Sequence, residues 1–494
     1  MALKSNKHAN AEEVLYKSFL GGINLSVPAE YVATDEMQQA KNFEYDPRTG
    51  ALKLRAGLVL MGTLEYNITG LAPIAGTSAL LARCENGKVY KLQEYTIAGP
   101  YATVIEGSGT LSYTLWGDQN ELILCAGAGL YIYKASDDTL TKLPNAPARN
   151  DFCFARDGRV VSVDTSTDTL KFSGVGDPDN WIMASTNDHQ WTAADGVFID
   201  VGYKDGCNMS ACAPLTDNLI VFKRPDGQPG QGKIYRLTGS YPDWAVVDYS
   251  SGSSAWNHRS CATTTNDLLF ITSEGVASLG AVSDYGDFKV SWAGAKVNPQ
   301  LSKELSESCK LWKMPGAAQV WVSAKPSARV YVYSYGVGEK GAWTTFEFPG
   351  YIADACECDG DRYIAIGKQI FKMDEAFGTD NGNAFNGHLK MQAIRRRGMI
   401  VLKYVYVAYN SMVASTASLF INGQTVDLPL GGQLYGSAYQ DDDIAALDND
   451  PLLASVSATV RRRVNIRCWD ATAEIDVQNG PFGLTSVGLE VAEV

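Results

Sequence analysis

Several signals are missing from this chain, and each absence removes a class of function. No run approaches the ~20 apolar residues that a membrane-spanning helix needs, and Met1 to His8 has no apolar core of the secretory type, so neither membrane anchoring nor cleavable export is expected. Histidine is scarce, at His8, His189, His258 and His388, and no Cys-x-x-Cys pair occurs among the ten cysteines. Cys356 and Cys358 share one face of an expected strand without a second pair of ligands, so no metal site is expected. Cys207 and Cys212 could approach across a turn, but the thiols are read as buried and free. A Gly-x-Ser-x-Gly elbow is absent, as is the Ser-x-Asp-x-Gly-x-x-Trp turn of sialidase-like propellers. Helical periodicity is nearly absent too, with Ala11 to Lys17, Asp35 to Asn42 and Asn298 to Ser308 the best candidates.

What remains is an all-β pattern of short apolar runs, abundant glycine and frequent turns. Paired runs recur at Ala79 to Leu92, Asn120 to Tyr133, Cys153 to Val163, Asn218 to Leu237, Asp267 to Leu279, Gln319 to Tyr333 and Arg362 to Met373. Their spacing, near 45 residues, fits the roughly 40 to 50 residues of a propeller blade, so about seven blade-like units are expected; stacked β-sandwiches are the competing architecture. Asp179 to Cys207 interrupts the rhythm as an insertion or an excursion between blades. Asp157-Gly158 and Asp359-Gly360 read as hairpin turns. The expected organisation is an N-terminal arm at 1–50, a β-propeller at 51–380, and a C-terminal antiparallel β-sandwich at 381–494. The arm is too poor in apolar periodicity to fold alone and should dock onto another element or subunit.

Gly227 to Lys233 has the spacing of a phosphate-binding loop, but Ile234 stands where a metal-binding Ser or Thr belongs and Pro229 removes an amide donor. Acidic residues are plentiful enough to supply paired acids of the glycosidase kind. Lys plus Arg total 42 against 55 for Asp plus Glu, a formal charge of −13, which opposes tight nucleic-acid binding while suiting a wall past which a duplex slides. Two basic triplets stand out in the C-terminal region: Arg395, Arg396 and Arg397, then Arg461, Arg462 and Arg463. Alternation along a strand sends the middle arginine of each to one face and its neighbours to the other, so at least one guanidinium per triplet needs a partner. Asp441, Asp442 and Asp443 could supply one, within the domain or from an adjacent copy, and these nine residues are the candidate subunit-interface set. Contact with passing phosphate is the lesser reading.

From Ser18 to Leu58 the chain carries Gly21, Gly22, Ile23 and Asn24, then Asn42 and Phe43, then Arg55, Gly57 and Leu58. This stretch resembles the opening of the β-propeller tail nozzle proteins of short-tailed bacteriophages, also called tail tubular B-like or packaged-DNA stabilisation proteins. Gly174 to Trp181, with its Gly-Asp-Pro-x-x-Trp, and the closing Val487 to Val491 are similar to later parts of the same family. Trp181 is read as anchoring a rigid turn on its blade. The resemblance implies a structural virion protein, assembled in the bacterial cytoplasm into the tail. There a homo-oligomeric ring of six copies would sit below the portal and head-to-tail adaptor, beside spike or fibre proteins. It would retain packaged double-stranded DNA and pass it non-specifically on ejection. It implies no cofactor, no metal and no catalytic residue. A carbohydrate-active or receptor-binding propeller is the alternative.

Overall fold

The computed structural model describes residues 11–117, 121–183, 193–225, 232–240, 243–265, 267–281, 288–324, 327–338, 340–411, 415–421, 424–430, 457–478 and 482–493. The fold is all-β, and its body is a seven-bladed propeller of four-stranded antiparallel sheets. Blade one runs from Ile68–Pro73 to Thr96–Ala98, blade two from Ser112–Trp116 to Thr139–Leu143, and blade three from Phe152–Arg156 to Val197–Asp200. Blade four spans Asn208–Leu215 to Ala245–Ser251, blade five Cys261–Thr263 to Phe288–Ser291, and blade six Leu311–Met314 to Ala342–Glu347. Blade seven takes Ile352–Cys358, Asp361–Ile366 and Gln369–Asp374 from late in the propeller, while its fourth strand, Gly57–Thr63, comes from the start. That strand ties the start of the propeller to its last blade and so closes the ring.

Each of the seven paired runs of the sequence is a hairpin of one blade: six are the central pair of strands, and Cys153 to Val163 is the first pair of blade three. Asp157 and Gly158 both have positive φ (51° and 69°), as do Asp359 and Gly360 (51° and 81°), the signature of the tight two-residue turns that match strand twist. The segment that interrupted the rhythm, Asp179 to Cys207, holds the long connection before the last strand of blade three, that strand itself (Val197–Asp200) and the link to blade four at Asn208, with 184–192 outside the described residues.

Each blade packs on the next through its own apolar layer. Blades one and two, for example, share Leu81, Leu111, Leu122 and Leu124, and blades six and seven share Trp321, Phe346, Ile364 and Phe371. Burying such a side chain is worth about 1.5–3 kcal/mol, so the ring is held mainly by these interblade layers.

Past the propeller the strands lengthen to Asn386–Ser411, Ser457–Gln478 and Phe482–Glu493, antiparallel to one another. Ala11–Lys17 adds itself to the last of these, from Ala11 opposite Ala492 to Lys17 opposite Ser486. Gln39–Lys41 hydrogen-bonds on one side to the outer strand of blade six and on the other to Asn386–Ser411, so one sheet runs from propeller to C-terminus.

Of the three expected helices only Asn298–Glu304 forms, packed between blades five and six. Ala11–Lys17 is a strand because pairing with Phe482–Glu493 buries Tyr16 completely, a tertiary gain that overrides local helix preference. Asp35 to Asn42 likewise breaks into the short strands Glu36–Met37 and Gln39–Lys41.

Candidate functional site

Polar side chains gather at a joint between propeller and C-terminal sheet, at the propeller axis and on the C-terminal sheet, among other places in the described residues. The joint is built by the motif residues of the first sixty positions. Asn42 occupies the left-handed region (φ 59°), which asparagine tolerates. That turn lets its Oδ1 accept from Glu347 N (2.8 Å) and Arg55 Nε (3.1 Å) while its Nδ2 donates to Asn386 O (2.9 Å).

Arg55, 2% exposed, satisfies all five of its donors. Beyond Asn42 they reach Ala56 O, Glu347 O and both carboxylate oxygens of Asp380, with the guanidinium 3.9 Å from the Phe385 ring centre. Gly57 follows because any Cβ there would lie 2.4 Å from the carbonyls of Phe377 and Thr379. Beside it, Glu44 takes Arg362 Nη1 at 2.6 Å and Gln319 Nε2 at 3.1 Å. Burial alone would raise the Glu44 carboxyl, but the Arg362 charge and hydrogen bond hold it down to about 2.

The axis is spanned by a short segment preceding blade five. His258 stacks on Phe152 of blade three, ring centres 4.9 Å apart, while Arg259 bonds Asp354 on the inner strand of blade seven. Neither blade is a neighbour of blade five, so these side chains reach across the centre. Asp354 is fully buried and also accepts from Trp312 Nε1 of blade six (2.7 Å) and Leu71 N of blade one (2.9 Å). Burial works to raise its carboxyl, yet Arg259 and Lys310 keep it below the usual aspartate value. The His258 imidazole is pushed down to about 3, chiefly by burial and then by the charges of Arg259 and Lys310, so it stays neutral.

Among the predicted interface residues, the two arginine triplets do not form one patch. Arg395 stands opposite Asp470, whereas Arg461 and Arg463 stand opposite Tyr406 and Tyr404, nine or more positions further along the same strand. At ~3.3 Å per residue that is about 30 Å. Arg396, the middle of its triplet, pairs with Glu12 at 2.9 Å, an exposed contact of small worth. Arg461 stacks on Tyr404 (3.9 Å to the ring centre) and lies 3.5 Å from Glu490, which also accepts from Tyr406 at 3.1 Å. Arg395, Arg397, Arg462 and Arg463 are exposed. Asp441, Asp442 and Asp443 lie outside the described residues. Sequence reading missed Trp469, 63% exposed on the same sheet, although its place in an alternating strand signalled it.

Of the phosphate-loop spacing only its end is described. Lys233 opens the strand Lys233–Thr238 and pairs with Asp205 at 3.4 Å, while 226–231 lie outside the described residues. Cys356 and Cys358 are buried between blades seven and one, and burial raises the Cys358 thiol to about 11. Trp181 packs between blades two and three with its indole N–H on Pro178 O (2.8 Å), anchoring its turn.

No protein-family model matches the sequence, and no curated protein resembles it closely enough to count as a relative. Among solved structures the chain is similar to U3-55K at 10% identity and a TM-score of 0.42, covering 64% of this chain and 98% of that one. It is likewise similar to the WD40 β-propeller domain of Doa1 (13%, 0.41, covering 65% and 98%). A third is the β-propeller domain of Cps50 (Swd1) from Myceliophteria thermophila (10%, 0.43, covering 63% and 98%). The propeller assignment itself rests on the strand pairing described above.

Proposed function

We propose that this chain is a structural subunit of a bacteriophage tail, similar to the β-propeller tail nozzle of short-tailed phages. Six copies would form a ring below the adaptor that retains the packaged genome and conducts it at ejection. One observation carries the reading: the residues by which Ser18 to Leu58 resembles that family build the joint between propeller and C-terminal sheet. Arg55 and Asn42 are hydrogen-bonded to blade six, to Asp380 and to Asn386, and Gly57 fits where no side chain could. A signature composed of folding residues favours a shared architecture over a shared reactive site.

The occupied axis supports the same reading. With Arg259, His258 and Asp354 across its centre, a single propeller offers no bore for a duplex, so DNA would travel through the opening between copies. A net charge of −13 suits the wall of such an opening, since phosphates would not adhere to it. No catalytic role is assigned to any residue. Contacts between copies would draw on the exposed Arg395, Arg397, Arg461, Arg462 and Arg463, with Asp441, Asp442 and Asp443 of a neighbouring copy as partners; adaptor and spike or fibre proteins would cap the ring.

Electron microscopy of the purified protein, with mass measurement in solution, tests this. A six-membered annulus with a central opening is expected, alone or after adding the adaptor. A monomer that forms no annulus under either condition would overturn the proposal.

A further inference from the structure

A groove of about 620 Å³ opens along the boundary of blades five and six, and nothing above assigns it a role. Its floor is aromatic. Tyr333 and Trp343 lie with ring centres 4.9 Å apart, Tyr333 donating to Lys340 O (2.9 Å) and Trp343 to Ala293 O (3.0 Å). Gly341, at φ 69°, makes room for this arrangement, because a Cβ there would meet the Tyr333 ring at 2.5 Å. Tyr335 lines one side, and Trp292 lines another with 41% of its surface exposed.

The rim is polar and rich in hydroxyls. Ser291 and Thr265 line it, with the buried Ser278 deeper in, together with the Asp267 carboxylate, whose charge reinforces the effect of burial in raising the Tyr333 phenol to about 12. Lys340 supplies an ammonium, whereas Lys296 is already engaged by Glu36 (2.9 Å) and Gly21 O (2.7 Å).

We propose that this groove binds a short oligosaccharide. An exposed indole face suits the C–H face of a pyranose ring, a carboxylate can accept from two adjacent sugar hydroxyls, and an ammonium can donate to ring or hydroxyl oxygens. The volume falls within the roughly 300–1,000 Å³ typical of small-molecule sites. An extended peptide is disfavoured because the groove presents side-chain hydroxyls and stacked rings on its walls. The inference does not depend on ring formation, and the two can fail separately.

The full-length protein is screened on an array of bacterial capsule, O-antigen and core-oligosaccharide fragments, and the strongest binder is titrated by tryptophan fluorescence and saturation-transfer NMR. Expected are saturation of the sugar ring protons and a loss of about tenfold in affinity in Trp292→Ala and in Asp267→Asn. Ser291→Arg, which narrows the groove from an exposed position, should weaken binding without touching the aromatic floor. The proposal is overturned by an array without binders, by a binder whose affinity survives Trp292→Ala and Ser291→Arg, or by fluorescence that responds to extended peptides and to no sugar.

Discussion

Arg55 and Asp380, 325 positions apart in the chain, meet in a buried two-point ion pair, Nη1 to Oδ1 at 2.9 Å and Nη2 to Oδ2 at 2.6 Å. Removing one partner strands the other charge where neither water nor a second counterion reaches it. Arg55→Ala and Asp380→Ala should therefore each lower unfolding stability by about 3–5 kcal/mol. Because both remove the same contact, the double variant should lose clearly less than the sum, which urea titration of the four proteins would reveal.

Acid should loosen the propeller axis before it protonates most carboxylates. His258 titrates near 6.5 when unfolded and at about 3 when folded, so between those values the unfolded chain binds the extra proton and stability falls as pH falls. Glu44, held at about 2 against an ordinary 4.5, adds its own loss below pH 4.5. His258→Phe keeps the stack on Phe152 and removes the first titration. Its urea midpoint should change less than that of the wild type between pH 7 and pH 4.5, by about 2–3 kcal/mol in the derived stabilities. Equal slopes for the two proteins would contradict the assignment.

Gly232 ends the stretch that imitates a phosphate loop, and its reason is steric. It sits at φ 149°, where a Cβ would lie 1.9 Å from Lys223 O. Gly232→Ala should cost about 1–3 kcal/mol, read as a lowered melting temperature. Added ATP or GTP with magnesium should leave the melting temperature of wild type and variant alike unmoved; a nucleotide-dependent rise would show that the motif binds phosphate after all.

On the C-terminal sheet, Arg462 and Arg463 are exposed, and replacing both with alanine should alter the stability of the single chain by less than about 0.5 kcal/mol at each site. Under the ring proposal the same change should shift the population from annulus to free subunit. Analytical ultracentrifugation separates these effects, and an annulus that forms equally well in the variant would remove these arginines from the interface.

The blades were legible because each contains a hairpin that pairs two short apolar runs across a turn, a signal local enough to read from ten to twenty residues of sequence. Ala11 to Lys17 was not, since its partner lies near the opposite end of the chain and Ala-Glu-Glu-Val-Leu-Tyr-Lys satisfies a helix equally well until that partner is known. The same distance hid the charged pairs. Arg55 and Asp380, Glu44 and Arg362, and Arg259 and Asp354 are ordinary residues in ordinary neighbourhoods, and only the closing of the ring brings them together. The arginine triplets attracted attention as clusters, yet alternation and the distance between them distribute their members among different surroundings.

The strand Gly57–Thr63, which completes blade seven, has a temporal consequence. It leaves the ribosome early, but its partner Gln369–Asp374 is made only after more than three hundred further residues. At 5–20 residues per second the segment waits for roughly 15–60 seconds with its hydrogen-bonding edge unmatched. The latch of this molecule is thus among its first-made pieces, and an edge left waiting so long is open to association with other nascent chains.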